Sequence, residues 1–443
     1  RQFGPTASDY NKAVAFFRKS GLNVRATSAN RYLISLEGRA GDVERVFHVK
    51  LNLYQHPTEP RTFFAPDREP SVDLNVPLLH VTGLDNYVLP HPKYLASSEN
   101  TSPRAGGSGP GGNFIGSDFR TAYYGNGKLN GKGQSVGLME LEGYIPSDIQ
   151  LYFTTVGQPL NVAVNGISVD GTPVNCGHCN DGEQTLDIDY AISMAPSLDQ
   201  VQVYVGGDPT EIENRMATDN TSKQLSTSWG YNENFAVEDA IYQEMAAQGQ
   251  SYLTASGDYS SLQASGPWPE EDANITGVGG TDLVTKSAGG PYKSETGWKD
   301  SAGGPSLDKT ILIEPYQLPF INRKNGGSKT LRNVPDISAN ADFDMLICAQ
   351  GTCQGGWGGT SFSSPMWAGF VAMANQQAVK QGKPLVGFLN PTLYNLSIAG
   401  SYKAIFHDVI GGKSGLYTAV KKFDLVTGLG SPKGQKMIDA LTQ

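Results

Sequence analysis

At 443 residues, with 38% hydrophobic and 17% charged residues, the chain is long enough for two or three domains and a large core. No apolar run approaches the ~18 residues of a membrane span, and the net charge of −9 argues against nucleic acid as a partner. The first 100 residues hold 12 Lys and Arg against 10 Asp and Glu and the rest hold 22 against 33, so a mildly basic front (+2) precedes an acidic body (−11) and the two should attract.

The N-terminus, Arg1-Gln2-Phe3-Gly4-Pro5, shows no signal peptide and reads as the interior of a longer precursor. Residues 6–20 have helical periodicity, with Gly21 placed to end the helix. Short strands are expected at Asn23 to Thr27 and Arg31 to Leu36, a helix at Ala40 to Phe47, and a strand at Lys50 to Tyr54. This α-β-β-α-β order, with a first strand missing, outlines a small ferredoxin-like α+β domain over residues 1–95.

Composition then shifts to Ser, Gly, Pro and Asn, which predicts a flexible, solvated linker over residues 96–112, open to proteolysis between about Ser102 and Asn113. From 113 to 443 strands and helices alternate. Strands are read at Ser135 to Leu141, within Asn161 to Val169, at Gln200 to Val205, Gln224 to Trp229 and Tyr252 to Ser256. Helices are read at Ser147 to Thr155, Glu183 to Ser193 and Ala236 to Gln248. The pattern predicts an α/β fold, a parallel sheet flanked by helices with its active site at the carboxyl ends of the strands.

Four cysteines form two close pairs, Cys176/Cys179 and Cys348/Cys353. Two local disulfides are expected ahead of a redox dithiol at Cys176-Gly177-His178-Cys179 or a four-cysteine zinc site. Oxidised pairs would favour an extracytoplasmic location.

Gly358-Gly359-Thr360-Ser361-Phe362-Ser363-Ser364-Pro365 precedes an apolar run and places Ser361 at a helix N-terminus, where the free amides favour negative charge. The competing reading is an ordinary capped helix. None of the six histidines sits in a small-residue helical setting suited to a serine's base, so a carboxylate is the expected base. Asp181-Gly182-Glu183-Gln184-Thr185-Leu186-Asp187 puts Glu183 and Asp187 at i and i+4 on one helix face, where two like charges disfavour joint ionisation. The alternative is a solvated acidic face. Leu253-Thr254-Ala255-Ser256-Gly257-Asp258 ends a strand on Asp258, an oxyanion donor only when protonated, or else a simple turn aspartate.

In the order Glu-x-x-x-Asp, Ser-Gly-Asp, Gly-Thr-Ser, these motifs resemble the sedolisin family of serine-carboxyl peptidases, across the whole chain. The resemblance implies a subtilisin-like catalytic domain over 113–443 and a propeptide over 1–95 that inhibits its own enzyme. It implies Ser361 as nucleophile, Glu183 as general base and acid, Asp187 as its partner, and Asp258 in the oxyanion hole with the Ser361 amide. Glu140 and Trp229 would extend the carboxyl network, and Ser228 and Gly230 would line the edge that takes substrate backbone.

The segment from His407-Asp408-Val409 to Phe423-Asp424 resembles the family's calcium loop. That implies one Ca2+ held by Asp408, Asp424 and the carbonyls of Val409, Val420 and Lys422, although Val420-Lys421-Lys422 replaces a glycine-rich stretch. The expectation is a secreted, acid-acting, self-processing monomer, an endopeptidase or tripeptidyl peptidase cutting peptides or unfolded proteins outside the cell or in another acidic extracytoplasmic compartment, with no membrane partner. The alternatives are a histidine-dependent subtilisin-type protease and a protease-like binding or inhibitory protein without catalysis.

Overall fold

The computed structural model describes residues 4–96, 106–177, 179–231, 235–265 and 268–443. His178 and residues 97–105 of the expected linker lie outside the described residues.

The N-terminal helix Ala7–Lys19 begins where the Thr6 hydroxyl accepts the Asp9 N–H and stops before Gly21, whose φ of 87° turns the chain. Its Ala13 and Phe17 pack on Val46 and Phe47 of the helix Ala40–Phe47. Asn23–Thr27 pairs antiparallel with Ile34–Glu37, and Leu51–Gln55 with an additional strand, Thr62–Pro66. The expected helix and strand order of a small α+β unit is present, as two hairpins under two helices.

The larger body, residues 113–443, is built on one sheet. Its strands are β1 (Ser135–Glu140), β2 (Ala163–Ser168), β3 (Gln200–Val205), β4 (Gln224–Thr227), β5 (Ser251–Ala255), β6 (Thr276–Thr285), β7 (Tyr292–Gly297) and β8 (Ile337–Asn340). The order runs β2-β3-β1-β4-β5-β6, all parallel, and the far edge of β6 pairs with β8 (parallel) and then β7 (antiparallel). The central strands are buried on both faces, as parallel strands between helical layers must be.

Two helices on one face hold the residues expected from the sequence to form the site. These are α1 (Gly182–Met194), buried along its whole length, and α2 (Thr360–Lys380), which crosses β4, β5 and β8. Helices Pro209–Asp219 and Phe235–Ala247 cover the other face, where Ile212, Met216, Ile241 and Met245 meet Leu225 and Tyr252. The two cysteine pairs are disulfides, Cys176–Cys179 and Cys348–Cys353.

Composition marks 106–112 as solvated linker, yet this part is tied to the body. Ser108 donates its N–H and hydroxyl to Asp118, and the Gly289 N–H donates to the Gly106 carbonyl. Glycine lets this backbone approach where side chains would collide: a Cβ on Gly107 would lie 2.0 Å from the Asn113 backbone.

One buried ion pair pins the sheet's edge. Arg332 and Asp336, both 0% exposed, pair through two N–H···O bonds of 2.6 and 2.8 Å just before β8. Asp336 also takes the Gly277 N–H at the start of β6 and the Tyr394 hydroxyl. Asp336→Asn would leave the guanidinium buried without a counter-charge, so denaturant unfolding should show a loss of about 3 kcal/mol. A change under ~0.5 kcal/mol would show that this pair does not hold the edge.

Candidate active site

Ser361 is the second residue of α2, whose first turn is set by Gly359. With φ at 144°, and with a hypothetical Cβ 2.6 Å from the Lys93 carbonyl oxygen, that position requires glycine. Pro365 lies inside α2, in its second turn. Having no N–H, it leaves the Ser361 carbonyl without its helical donor, and the Ser228 hydroxyl oxygen lies 3.1 Å from that carbonyl.

The structure brings the four expected catalytic residues and their two supporting residues together. Ser361 Oγ donates to Glu183 Oε2 at 3.1 Å and also lies 3.4 Å from the Ser228 carbonyl oxygen, and among the described residues no histidine is hydrogen-bonded to it. Ser228 Oγ donates to Asp187 Oδ1 at 2.7 Å, and Trp229 Nε1 to Glu140 Oε2 at 2.9 Å. Glu140, at the end of β1, exchanges a hydrogen bond with Asp187 when one of the two carries a proton. The result is a dry line of carboxyls from Ser361 to Trp229, each at most 1% exposed.

Burial dominates the acidity of this line. It pushes Glu140 up to about 8, and raises Glu183 well above the carboxylate range with help from the Asp187 and Glu140 charges. Asp187 is raised the same way, by burial and then Glu140. Asp258, just past β5, is pushed by burial to about 8. Its Oδ1 accepts the Thr360 N–H (2.9 Å) and hydroxyl (3.0 Å), which leaves Oδ2 without a hydrogen-bond partner. Asp189 points away, as its spacing from Glu183 predicts, but it is buried with Asp148 and Asp181 near and is not the solvated residue an acidic helix face would carry.

The cleft is filled by the protein's own chain, as expected of a propeptide that inhibits its own enzyme, and the segment that fills it is 91–96. Residues His91–Pro92 pair antiparallel with Trp229–Gly230, and Leu95–Ala96 pair antiparallel with Trp357–Gly358. Between the pairs, the Lys93 N–H donates to the Ser228 carbonyl at 2.9 Å, and the Lys93 carbonyl accepts the Ser361 N–H at 3.1 Å. The expected peptide-binding residues Ser228 and Gly230 thus hold backbone by strand addition. Tyr94 lies against Trp357, ring centroids 5.4 Å apart. A usable signal was present in Pro90-His91-Pro92, where two prolines impose an extended backbone just before Lys93.

The propeptide docks beside this segment through paired groups. Arg25 forms an ion pair with Glu211, and Asn30 donates to Asn214 (2.7 Å) and Glu244 (2.8 Å).

In the C-terminal loop, Asp408 Oδ1 accepts the Lys422 N–H at 2.7 Å and the Tyr402 hydroxyl at 3.0 Å. Asp424 accepts N–H groups of Val420, Val426 and Thr427 at 2.8–2.9 Å. Both carboxylates therefore anchor the 420–424 turn. Every donor to Asp424 is a neutral N–H or O–H of its own loop, and burial pushes it up to about 7. Lys422 adopts the φ of 68° that a glycine takes more easily, while Lys421 and Lys422 are exposed. Among the described residues no basic side chain is a hydrogen-bond partner of either carboxylate, the two lysines face solvent, and carboxylate oxygen is the donor a calcium ion takes.

The profile of the pro-kumamolisin activation domain matches residues 1–87. Kumamolisin of Bacillus sp. (strain MN-32) is 28% identical over 99% of this chain and 84% of its own length. Sedolisin of Pseudomonas sp. (strain 101) is 28% identical over 97% of this chain and 78% of its own. Tripeptidyl-peptidase sed4 of Aspergillus fumigatus is 23% identical over 98% and 84%. The solved structure of Pseudomonas sedolisin, a serine-carboxyl proteinase complexed with two molecules of pseudo-iodotyrostatin, superposes with a TM-score of 0.65 at 26% identity, covering 76% of this chain and 98% of that one.

The raised carboxyls fix a direction for stability. The folded chain keeps protons that free carboxyls, with pKa near ~4, release. Stability from Glu140 and Asp258 is therefore full below about pH 4 and is lost as pH rises toward about 8, and Glu183 and Asp187, raised in the same direction, add to that loss. The melting temperature of the intact chain should fall steadily between those limits; a flat or rising profile would contradict a dry carboxyl cluster.

Proposed function

We propose, from the premise that the chain is a serine-carboxyl peptidase zymogen of the sedolisin family, that Ser361 attacks peptide carbonyls with Glu183 as its base, in acid and outside the cytoplasm. The observation that carries this reading is the Ser361 Oγ–Glu183 Oε2 bond of 3.1 Å, in a line of carboxyls that contains no histidine.

Glu183, when ionised, takes the Ser361 proton as Oγ adds to the substrate carbonyl carbon. Asp187, carrying a proton shared with Glu140, steadies the negative charge of Glu183 without repelling it. The oxyanion is held by the Ser361 N–H and by a proton on Asp258 Oδ2, the atom that lacks any other partner. Glu183 then gives its proton to the departing amine nitrogen as the C–N bond breaks. A water hydrolyses the acyl-serine by the same steps in reverse order of proton transfer. Activity thus needs the Glu140–Asp187–Glu183 line to carry a single negative charge, resting on Glu183 as the proton leaves Ser361, with Asp258 still protonated; alkali, which strips protons from the other carboxyls, removes that combination.

The cleft holds a chain that continues on both sides of Lys93, which suits internal cleavage better than removal of tripeptides. The bound segment also accounts for latency, because substrate cannot enter until residues 91–96 leave. Two disulfides, and a carboxyl line that gains stability in acid, fit a secreted enzyme. Among the described residues no helix is long and apolar enough to cross a membrane. One Ca2+ would be held by Asp408, Asp424 and the carbonyls of Val409, Val420 and Lys422. Its contribution would be structural, tying two loop strands together.

Acid treatment of the precursor should generate activity on an unfolded protein, and Ser361→Ala or Glu183→Gln should lower kcat by at least about 10⁴-fold. Activity in Glu183→Gln at pH 8 would instead indicate a different base. Asp258→Asn supplies a donor that cannot ionise. Its residual activity should reach further into alkali than wild type, and an unchanged alkaline limb would remove Asp258 from the oxyanion hole.

Calcium added to chelator-treated precursor should raise its melting temperature, by roughly 2.7 kcal/mol of stability at a hundredfold excess over Kd. Asp408→Asn should abolish the response. No shift on calcium addition to wild type would rule the site out.

A further inference from the structure

The pocket that receives the Lys93 side chain is the most informative feature outside the carboxyl line. Lys93 is 2% exposed, and its ammonium forms an ion pair with Glu270, itself 0% exposed. The ammonium also donates to the Ala255 carbonyl at 3.0 Å and lies 3.5 Å from the Trp268 carbonyl oxygen. Gly230 forms the pocket's entrance, where a Cβ would lie 2.9 Å from Lys93 Cε and 2.6 Å from the Ser265 carbonyl oxygen. The pocket therefore has a narrow mouth, carbonyl walls and a carboxylate at its end. Glu270 Oε1 has no hydrogen-bond partner, so a second acceptor faces whatever enters.

The backbone around Lys93 has the register of a substrate. Its carbonyl meets the Ser361 N–H, its N–H meets the Ser228 carbonyl, and strands flank it on both sides. Lys93 thus occupies the position whose carbonyl is attacked, P1, and Tyr94 is the residue that would leave.

We propose that Glu270 is a specificity-determining residue that makes this peptidase select a basic P1 side chain, lysine first, and that Lys93–Tyr94 is the first bond it cuts in its own precursor. This rests on the serine-carboxyl reading above. Ser361 Oγ forms an ester with the Lys93 carbonyl as the bond to the Tyr94 nitrogen breaks, Glu183 delivers the proton to that nitrogen, and water releases Lys93 as a free carboxyl end. A neutral P1 side chain in the same pocket makes no ion pair with Glu270 and leaves the Ala255 carbonyl without its donor, while burial holds a proton on Glu270, so the preference for a cation comes from the pair and the carbonyl bonds that an ammonium makes there. An acidic one meets repulsion.

The test uses quenched peptides spanning residues 89–97, with lysine, arginine, norleucine or glutamate at position 93, and acid-activated enzyme. Wild type should cut the lysine peptide over the norleucine peptide by about 100-fold in kcat/KM, with glutamate cut least. Glu270→Gln should collapse that ratio, and Glu270→Lys should favour the glutamate peptide. A ratio is insensitive to the fraction of variant that folds. Sequencing of acidified wild-type precursor should give a new N-terminus at Tyr94, delayed in Lys93→Gln. Equal cutting of lysine and norleucine peptides, a lysine preference that survives Glu270→Gln, or a first cut elsewhere would overturn the assignment while leaving the peptidase reading intact. Failure to cut any peptide at any pH would sink both.

Discussion

The exclusion of water from a set of carboxyls underlies the rest of this structure. Glu140, Glu183, Asp187 and Asp258 come from the end of β1, from α1 and from the loop after β5, and each is at most 1% exposed. In water such groups would be separate, ionised and unremarkable. Packed between the sheet and two buried helices they cannot all carry charge, so protons are retained and hydrogen bonds form between groups that would otherwise repel. The chemistry assigned to Ser361 depends on that retention, because an oxyanion donor made from aspartate exists only while its proton stays.

That dryness has a structural origin. A helix buried on every side, such as α1, is tolerated where the fold encloses it, here by α2, the helices Gly116–Tyr123 and Pro146–Thr155, β1 and the strand Met345–Ala349. α2 is held in turn by the Ser363 hydroxyl, which donates to the Ala339 and Asn340 carbonyls at the end of β8. β8 follows the buried Arg332–Asp336 pair, and the 424–430 loop lies against it through Ser338 N–H to Gly430 and Leu429 N–H to Asp336. Position at Ser361 thus depends on contacts that reach the C-terminal loop.

What the sequence makes legible is local. Glu183 and Asp187 share a helix face because four residues make about one turn, and Gly359 before Thr360-Ser361 announces a turn feeding a helix. Trp229 next to Ser228 can be read as a strand edge. What it hides is non-local: Ser361 meets a carboxylate 178 positions away, and Lys93 meets one 177 away. The 91–96 segment carries only two-residue pairings, too short for periodicity to register, and its structure comes from the cleft and not from its own sequence. Glycine-rich 106–112 misleads in the opposite direction: what composition reads as freedom is used for close backbone approach to Asn113.

A lysine held in a dry pocket raises the question of what the pair is for. Two charges removed from water regain through mutual attraction roughly what they lose in hydration, so a buried ion pair contributes little net binding. Lys93–Glu270 is therefore poorly suited to fastening the propeptide. The fastening falls to the strand pairings on either side of Lys93, to Asn30 on Asn214 and Glu244, and to the surrounding packing. Arg25–Glu211, partly exposed, adds only modestly. Where the pocket is strong is in rejection, since a side chain without a donor leaves the Ala255 carbonyl and the Glu270 carboxyl unanswered. The same geometry thus makes lysine a weak anchor and a strict criterion, which suits a segment that must occupy the cleft for a time and then be cut and released.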